Sequence, residues 1–313
     1  GVSIAMQPKS TPPRSAVDTL VFGCGYVGLR VARNAAAEGR VVATTTRDPS
    51  KAEQLAAWGL RPVIADWHRP RGLDRLPVAD RVLVAVSHDR RSGVSRYDSQ
   101  VLGLRRLLDH LPNRPNVVYV STTGVYHQSD GSWVDECSPA RPRREGGKAH
   151  LRGERLIRSL GSEKPWTVLR LAGIYGPGRV PRIASVLDGT PIASPANGYL
   201  NLIHVEDAAA AVREAWTWQD SLSTSQRQTT DRLFVVGDDE PVLRRQFYEE
   251  IARQCGVPAP KFAEKSQKQV LSARSDSNKR IWNRRLKRLL VPKLKYPTHR
   301  EGLLSVLSDF MDS

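Results

Sequence analysis

A chain of 313 residues, 40% of them hydrophobic, is long enough to bury one large core or two modest ones, which sets aside a disordered or fibrous protein. No apolar run approaches the roughly 18 to 20 residues that span a bilayer, and the opening GVSIAMQPKSTPPRSA lacks an apolar signal core, so the expectation is a cytoplasmic protein with no membrane partner. The formal charge of +16 raises the question of a polyanionic partner, while Cys24, Cys137 and Cys255 stand too far apart for a disulfide framework or a zinc site, and no metal is expected.

Residues 1–16 read as a flexible N-terminal tail. The short apolar run DTLVFG (Asp18 to Gly23) is followed by YVGLRVARNAAAE, where Val27, Val31 and Ala35 recur at helical spacing and Gly39 is a natural stop. The strand RVVATTT comes next. The alternation then repeats through a helix near residues 51–58, strands RPVIADW and RVLVAVS, a helix over 97–111, the strand NVVYVST, a helix around 148–160 and the strand WTVLRLAGIYG. Strands such as VLVAV are apolar throughout, as burial on both faces requires, so the expected fold is α/β, a doubly wound parallel sheet of the Rossmann type.

Past Tyr175 the pattern loosens into Gly- and Pro-rich loops. HVEDAAAAVREAW then predicts a helix carrying Asp207 as a cap or orienting residue, Gln219 to Thr230 reads as a polar surface loop, and RLFVVG as a strand. The helix RRQFYEEIARQCG closes at Gly256, and a last helix covers residues 299–311. The expected organisation is a dinucleotide-binding domain from 17–176 and 203–237, with a smaller substrate-binding region from 177–202 and 238–313. Between Lys261 and Arg300 stand thirteen Lys or Arg against Glu264 and Asp276. In NKRIWNRRLKRLL, Ile281, Leu286, Leu289 and Leu290 fall near one helical face, so the basic residues read as the solvated side of a packed helix; with few interleaved aromatics, nucleic acid is the weaker expectation.

Gly23, Gly25 and Gly28 form G-x-G-x-x-G directly after a predicted strand and opening a predicted helix. Gly23 permits the tight turn, Gly25 lets the backbone approach a pyrophosphate, and Gly28 lets the helix lie close to the sheet. The amides that open the helix, at Tyr26 and Val27, face the phosphates together with the helix dipole. An NAD-specific site carries an acid at the end of the second strand, to hold the ribose hydroxyls and repel a 2′-phosphate. Here that end is Thr44, Thr45, Thr46 and Arg47, whose hydroxyls and guanidinium suit a phosphate, so NADP is expected over NAD.

With this turn, the stretches VSTTGVYHQSDGSWVDECSPARP, VLRLAGIYGPGR and NLIHVEDAA occur in order, and from Asp18 onward the chain resembles the extended and atypical short-chain dehydrogenase/reductase superfamily, of the NAD-dependent epimerase/dehydratase type. The resemblance implies an NAD(P)-dependent oxidoreductase or epimerase acting on a small polar carbonyl or hydroxyl compound, with homodimerisation an open option. It implies that Asp66 lies near the adenine, that Ser87 lines the cofactor cleft, and that Thr122 hydrogen-bonds the reacting oxygen. For the substrate it points to Arg179 on an anionic group, Asn201 on a hydroxyl or carbonyl, and His204 at the pocket rim.

The family's general acid/base is a Tyr four residues before a Lys, and here the chain departs from the pattern. In RREGGKAHLRGERLIRSL, anchoring on Glu154 puts Gly146 and His150 in the two positions, whereas anchoring on Lys148 puts Arg144 in the Tyr position. Neither alignment supplies a tyrosine. His150, titrating near neutrality, and Tyr126, the nearest phenol but in the family a pocket wall, are the substitutes at hand, and Lys148 would keep a ribose contact. His127 replaces the Gly after that Tyr, and Phe22 the first Gly of the extended-type turn. The departure leaves a second expectation open, a catalytically silent NADPH sensor.

Overall fold

The computed structural model describes residues 15–68, 71–263 and 277–311. The expected tail falls almost wholly outside them, as do Lys265, Lys268 and Arg274 of the basic segment. In chain order the elements are β1 (Ala16–Phe22), α1 (Tyr26–Ala37), β2 (Val42–Thr46), α2 (Ala52–Ala57), β3 (Arg61–Ile64), β4 (Val78–Val84), α3 (Gly103–His110), β5 (Asn116–Thr122), β6 (Ser132–Val134), α4 (Glu145–Arg158), β7 (Trp166–Leu171) and β8 (Gly173–Tyr175). There follow α5 (Ile183–Asp188), β9 (Tyr199–Leu200), β10 (Leu202–His204), α6 (Val205–Ser221), α7 (Thr224–Thr229), β11 (Leu233–Val236), β12 (Val242–Leu243), α8 (Arg244–Cys255), β13 (Lys279–Ile281) and helices Arg284–Leu289 and His299–Met311.

Seven strands form one parallel sheet in the order β11-β7-β5-β4-β1-β2-β3. The chain runs outward from β1 to β3, returns to lay β4 beside β1, and runs outward the other way. The reversal leaves a crevice at the carboxyl ends of β1 and β4, where open α/β sheets take ligands. One face of the sheet is covered by α1, α6 and the segment carrying Leu286, Leu290 and Leu294; the other by Leu104 and Leu107 of α3 and Ile157 of α4. A separate cluster, with Tyr175, Val186, Phe247, Ile251, Leu303 and Leu307 at its heart, joins the stretch after β8 to α8 and the last helix.

Several local expectations need correction. WTVLRLAGIYG is not one strand: it breaks at Ala172, and β8 pairs with β10 outside the main sheet. Gln219 to Thr230 is not a loop, because α6 runs to Ser221 and Ser223 then forms a capping box with Gln226 that starts α7. The segment NKRIWNRRLKRLL is not one helix: Ile281 lies in β13, paired with β6, and the helix spans only Arg284–Leu289. Leu286 and Leu290 are buried, and Leu289 is exposed. Its cations are largely engaged, with Arg285 on Asp231, Lys287 on Asp239 and Arg280 stacked over Trp133. Among the described residues no helix is long and apolar enough to cross a membrane.

Candidate active site

The turn after β1 brings the glycines to the crevice. Gly23 has φ +113°, and a Cβ there would lie 2.6 Å from the Ala85 carbonyl oxygen, so only glycine lets the chain bend against the strand beside it. A Cβ on Gly28 would lie 2.0 Å from the Gly23 carbonyl oxygen, which holds the first turn of α1 against the loop. Gly25, the N-cap of α1, is different: nothing lies within 4 Å of its Cβ position. That is open space in front of amides without intrahelical acceptors, on a helix whose first turn has no acid. The arrangement fits a pyrophosphate.

A cleft of about 710 Å³ opens there, lined among others by Gly23, Gly25, Thr46, Arg47, Lys51 and Ser87. The Gly23 amide donates to Thr45 Oγ1 at 3.2 Å and ties the turn to the end of β2. Arg47 reaches across the mouth, with Nη2 2.9 Å from Asp89 Oδ2 and Nη1 3.2 Å from His68 Nδ1. Besides Asp89, which Arg47 pairs, the cleft carries Asp48, whose carboxylate accepts from the amide and hydroxyl of Ser50 and so caps its own turn. Asp66, expected near the adenine, follows β3 between Ala65 and Trp67, both of which line the cleft, and its Oδ1 accepts from the His68 amide in a turn.

A second cleft, of about 510 Å³, lies on the other side of the loop that follows β4, and Thr122, Gly146 and His150 all line it. The two alignments place different residues along α4 and at its start, where Arg144, Gly146 and His150 line the cleft and Lys148 does not. Residues 146 and 150 are one turn apart and share a face of α4, whereas Lys148 is turned away. Lys148, expected at the ribose, is exposed and pairs with Glu145 at 3.4 Å. Thr122 ends β5 and its Oγ1 accepts from the Gly124 amide at 3.0 Å, which leaves the hydroxyl hydrogen for another acceptor.

His150 Nδ1 lies 3.1 Å from the Tyr119 hydroxyl. Burial pushes the imidazole down to about 4, so the ring is neutral at neutral pH and the expectation of titration there is corrected. The phenol of Tyr119, itself pushed up by burial, is satisfied by donating to Nδ1, an assignment that puts the ring proton on Nε2. Tyr126 walls the cleft, but its hydroxyl donates to the Asp135 carbonyl at 2.7 Å and accepts from Arg170 Nη1 at 2.9 Å. Burial raises it to about 12, so this phenol is committed to the wall rather than to proton transfer.

Under the cleft lies a buried polar chain that sequence reasoning missed. Arg170 donates through Nε and Nη2 to both oxygens of Glu154, at 3.0 and 2.8 Å, and Ser121 Oγ donates to Oε2 at 2.6 Å. Both charges are almost fully buried, and the bidentate geometry satisfies them. Because Ser121 precedes Thr122 and Arg170 holds Tyr126, this chain sets the floor of the site.

The expected substrate residues go elsewhere. Arg179 is exposed and lies over the Tyr26 ring at 5.2 Å, while Tyr26 donates to the Pro177 carbonyl; both stand at the start of α1 and not in the Thr122 cleft. Asn201 spends its amide on main chain, accepting from Ile281 N at 2.7 Å and donating to the Lys279 carbonyl at 2.9 Å. His204 is 1% exposed, caps α6 by accepting from the Glu206 amide, and packs 4.0 Å from the Tyr296 ring. Asp207 does not cap α6: its two oxygens accept from the amides of Lys295 and Tyr296. The motif NLIHVED therefore fastens C-terminal segments, which its spacing alone does not reveal.

The site the sequence missed is cationic. Arg90, Arg96, Arg143, Arg144 and Lys279 line the Thr122 cleft. The only available signal was the arginine-rich stretch HDRRSGVSR after the fourth strand, a loop that must border the crevice in this topology.

Comparison with known proteins agrees with this architecture. Residues 19–227 match the family model described as the NAD dependent epimerase/dehydratase family. The chain is 27% identical to Protein YeeZ of Escherichia coli K12 over 255 residues, covering 77% of this chain and 85% of that protein. A putative NAD-dependent epimerase/dehydratase from Methylobacillus flagellatus superposes with a TM-score of 0.72 at 29% identity, over 94% of this chain and 99% of the other. A UDP-glucuronic acid 4-epimerase from Bacillus cereus, solved with UDP-glucuronic acid and NAD, has a TM-score of 0.73 at 17% identity, over 95% and 99% of the two chains, and speaks for the fold alone. The chain belongs to the NAD-dependent epimerase/dehydratase family, with the Rossmann fold of the extended short-chain dehydrogenases.

Proposed function

We propose that the chain is an NAD(P)-dependent oxidoreductase or epimerase of the atypical short-chain type, that it prefers NADP, and that it acts on a small polar carbonyl or hydroxyl substrate. The observation that carries this is the open cradle at Gly25 leading to a β2 end that offers Thr46, Arg47 and Lys51 and no uncommitted acid. The Gly23 to Gly28 turn would hold the pyrophosphate, and Arg47 and Lys51 a 2′-phosphate. When bound, the cofactor supplies or accepts a hydride. Thr122 donates its hydroxyl hydrogen to the substrate oxygen and orients the reacting carbon. With Gly146 where the family has its phenol, the proton is exchanged with water or through His150 Nε2.

The test is calorimetric titration with NADPH and NADH, then absorbance at the nicotinamide band against a panel of aldehydes, ketones and sugars. NADPH binding at least tenfold tighter than NADH, with turnover of a panel member, is the expected result; no heat from either nucleotide overturns it. The Gly146 and His150 pair favours the second reading, a silent NADPH sensor, which predicts tight binding and no turnover across the panel.

A further inference from the structure

The wall where the family phenol stands is occupied by a cation. A Cβ on Gly146 would sit 3.3 Å from Arg96 Nη1 and 3.6 Å from its Cζ, so the guanidinium fills the space in front of that helix position. Arg96 comes from the loop after β4 and acts electrostatically on both His88, on the cofactor side, and His150, on the α4 side. It therefore stands at the junction of the two clefts, bonded to the neutral Gln100 Oε1 at 3.4 Å.

Lys279 faces the same cleft from β13. It is 6% exposed, and its Nζ lies 3.1 Å from Ser277 Oγ. Among the described residues no carboxylate oxygen comes within 4.0 Å of it, while Arg244 and Arg144 repel it. Burial and those neighbours push its ammonium down to about 8. Glu145, the one carboxylate among the residues that line the cleft, pairs with Lys148 on the far side. A buried ammonium without a counter-charge is unfavourable, and an anion entering the cleft relieves it. The Asn201 amide clamps the main chain on both sides of residue 280, so the lysine is held in place in advance.

We propose that Arg96 and Lys279 bind an anionic group of the substrate, a carboxylate or a phosphate, next to the carbon whose oxygen meets Thr122. This rests on reading the Thr122 cleft as the substrate site. The substrate class is then a small hydroxy or oxo acid, or its phosphorylated counterpart, rather than a compound whose charge lies far from the reacting carbon.

Three probes with a common three-carbon skeleton test it: glycerol, glycerate and glycerol 3-phosphate, titrated calorimetrically into the full chain with and without saturating NADPH. At least one anion should bind tenfold or more tightly than glycerol, and the tighter of the two identifies the group. Arg96→Gln and Lys279→Met should each weaken that anion at least tenfold, Arg96→Lys should retain most of the affinity, and the NADPH dissociation constant should stay within twofold. Should Lys279→Met fail the circular dichroism check on folding, the half-buried Arg96 pair of variants decides. Equal binding of all three probes, or anion binding unchanged in Arg96→Gln, overturns the proposal. Anion binding without any heat from NADPH would instead overturn the cofactor reading and leave this one standing.

Discussion

The two ends of the crevice have been treated differently by the sequence. At the cofactor end every glycine the turn requires is present, each for a separate steric reason, and the one that should be open is open. At the α4 end the helix is in place, its floor is braced by a buried ion pair and the Thr122 hydroxyl accepts from the Gly124 amide, yet the helix presents Gly146, which has no side chain, and the neutral ring of His150 to the cleft. Scaffold and chemistry are thus separable: a site can keep its geometry while the groups that act in it change.

That contrast can be broken at its strongest point first. Glu154→Ala strands the Arg170 guanidinium in the interior, and a stability loss of about 3–5 kcal/mol is expected by urea denaturation; a loss within experimental error would show that the floor is not braced by this pair. Gly25→Asp places a carboxylate in the open cradle at an N-cap position, where Asp is favourable for the helix. NADPH affinity should fall on the order of 100-fold, about 2.7 kcal/mol, with the melting temperature unchanged or raised.

Acid separates the two ends from the core behind them. The His204 and His150 rings are held near 4 by burial, below the value of 6.5 that an exposed histidine has. The unfolded chain therefore takes up protons first as pH falls, and stability is lost from about pH 6.5 down towards pH 4, on the order of 1 to 2 kcal/mol for each ring after allowance for partial solvation. His204→Asn keeps a side-chain acceptor for the Glu206 amide and should flatten that slope in melts across the same range. Arg47→Ala should weaken NADPH about tenfold, roughly 1.4 kcal/mol, and leave NADH unaffected. The smallest effect is expected from Lys148→Ala, less than twofold in any turnover and within about 0.5 kcal/mol in stability, because its ion pair is exposed. A large loss there would point back to the ribose contact expected of Lys148.

What was legible in the sequence was local. The alternation of strands and helices, the glycine turn and the last helix are written in periods of a few residues, and a run such as VLVAV cannot hide where it must be buried. The S-x-x-Q box at Ser223 was equally local, and a closer reading of the polar stretch would have found α7. Arg96, Lys279 and the Glu154–Arg170 pair were not legible, because each takes its meaning from a partner brought up by the fold. Asn201 and His204 show the converse. A polar residue in a familiar motif can be turned inward, and only its partners tell whether it waits for a ligand or holds main chain.

The Asp207 carboxylate accepts amides that come 88 and 89 residues later in the chain. Without those two donors the Asp207 carboxylate, partly buried at the start of α6, would have to stay hydrated or take up a proton. Closure of so long a loop is slow relative to the zipping of neighbouring strands. The carboxylate of α6 is therefore fully satisfied only once the segment around Lys295 and Tyr296 has docked.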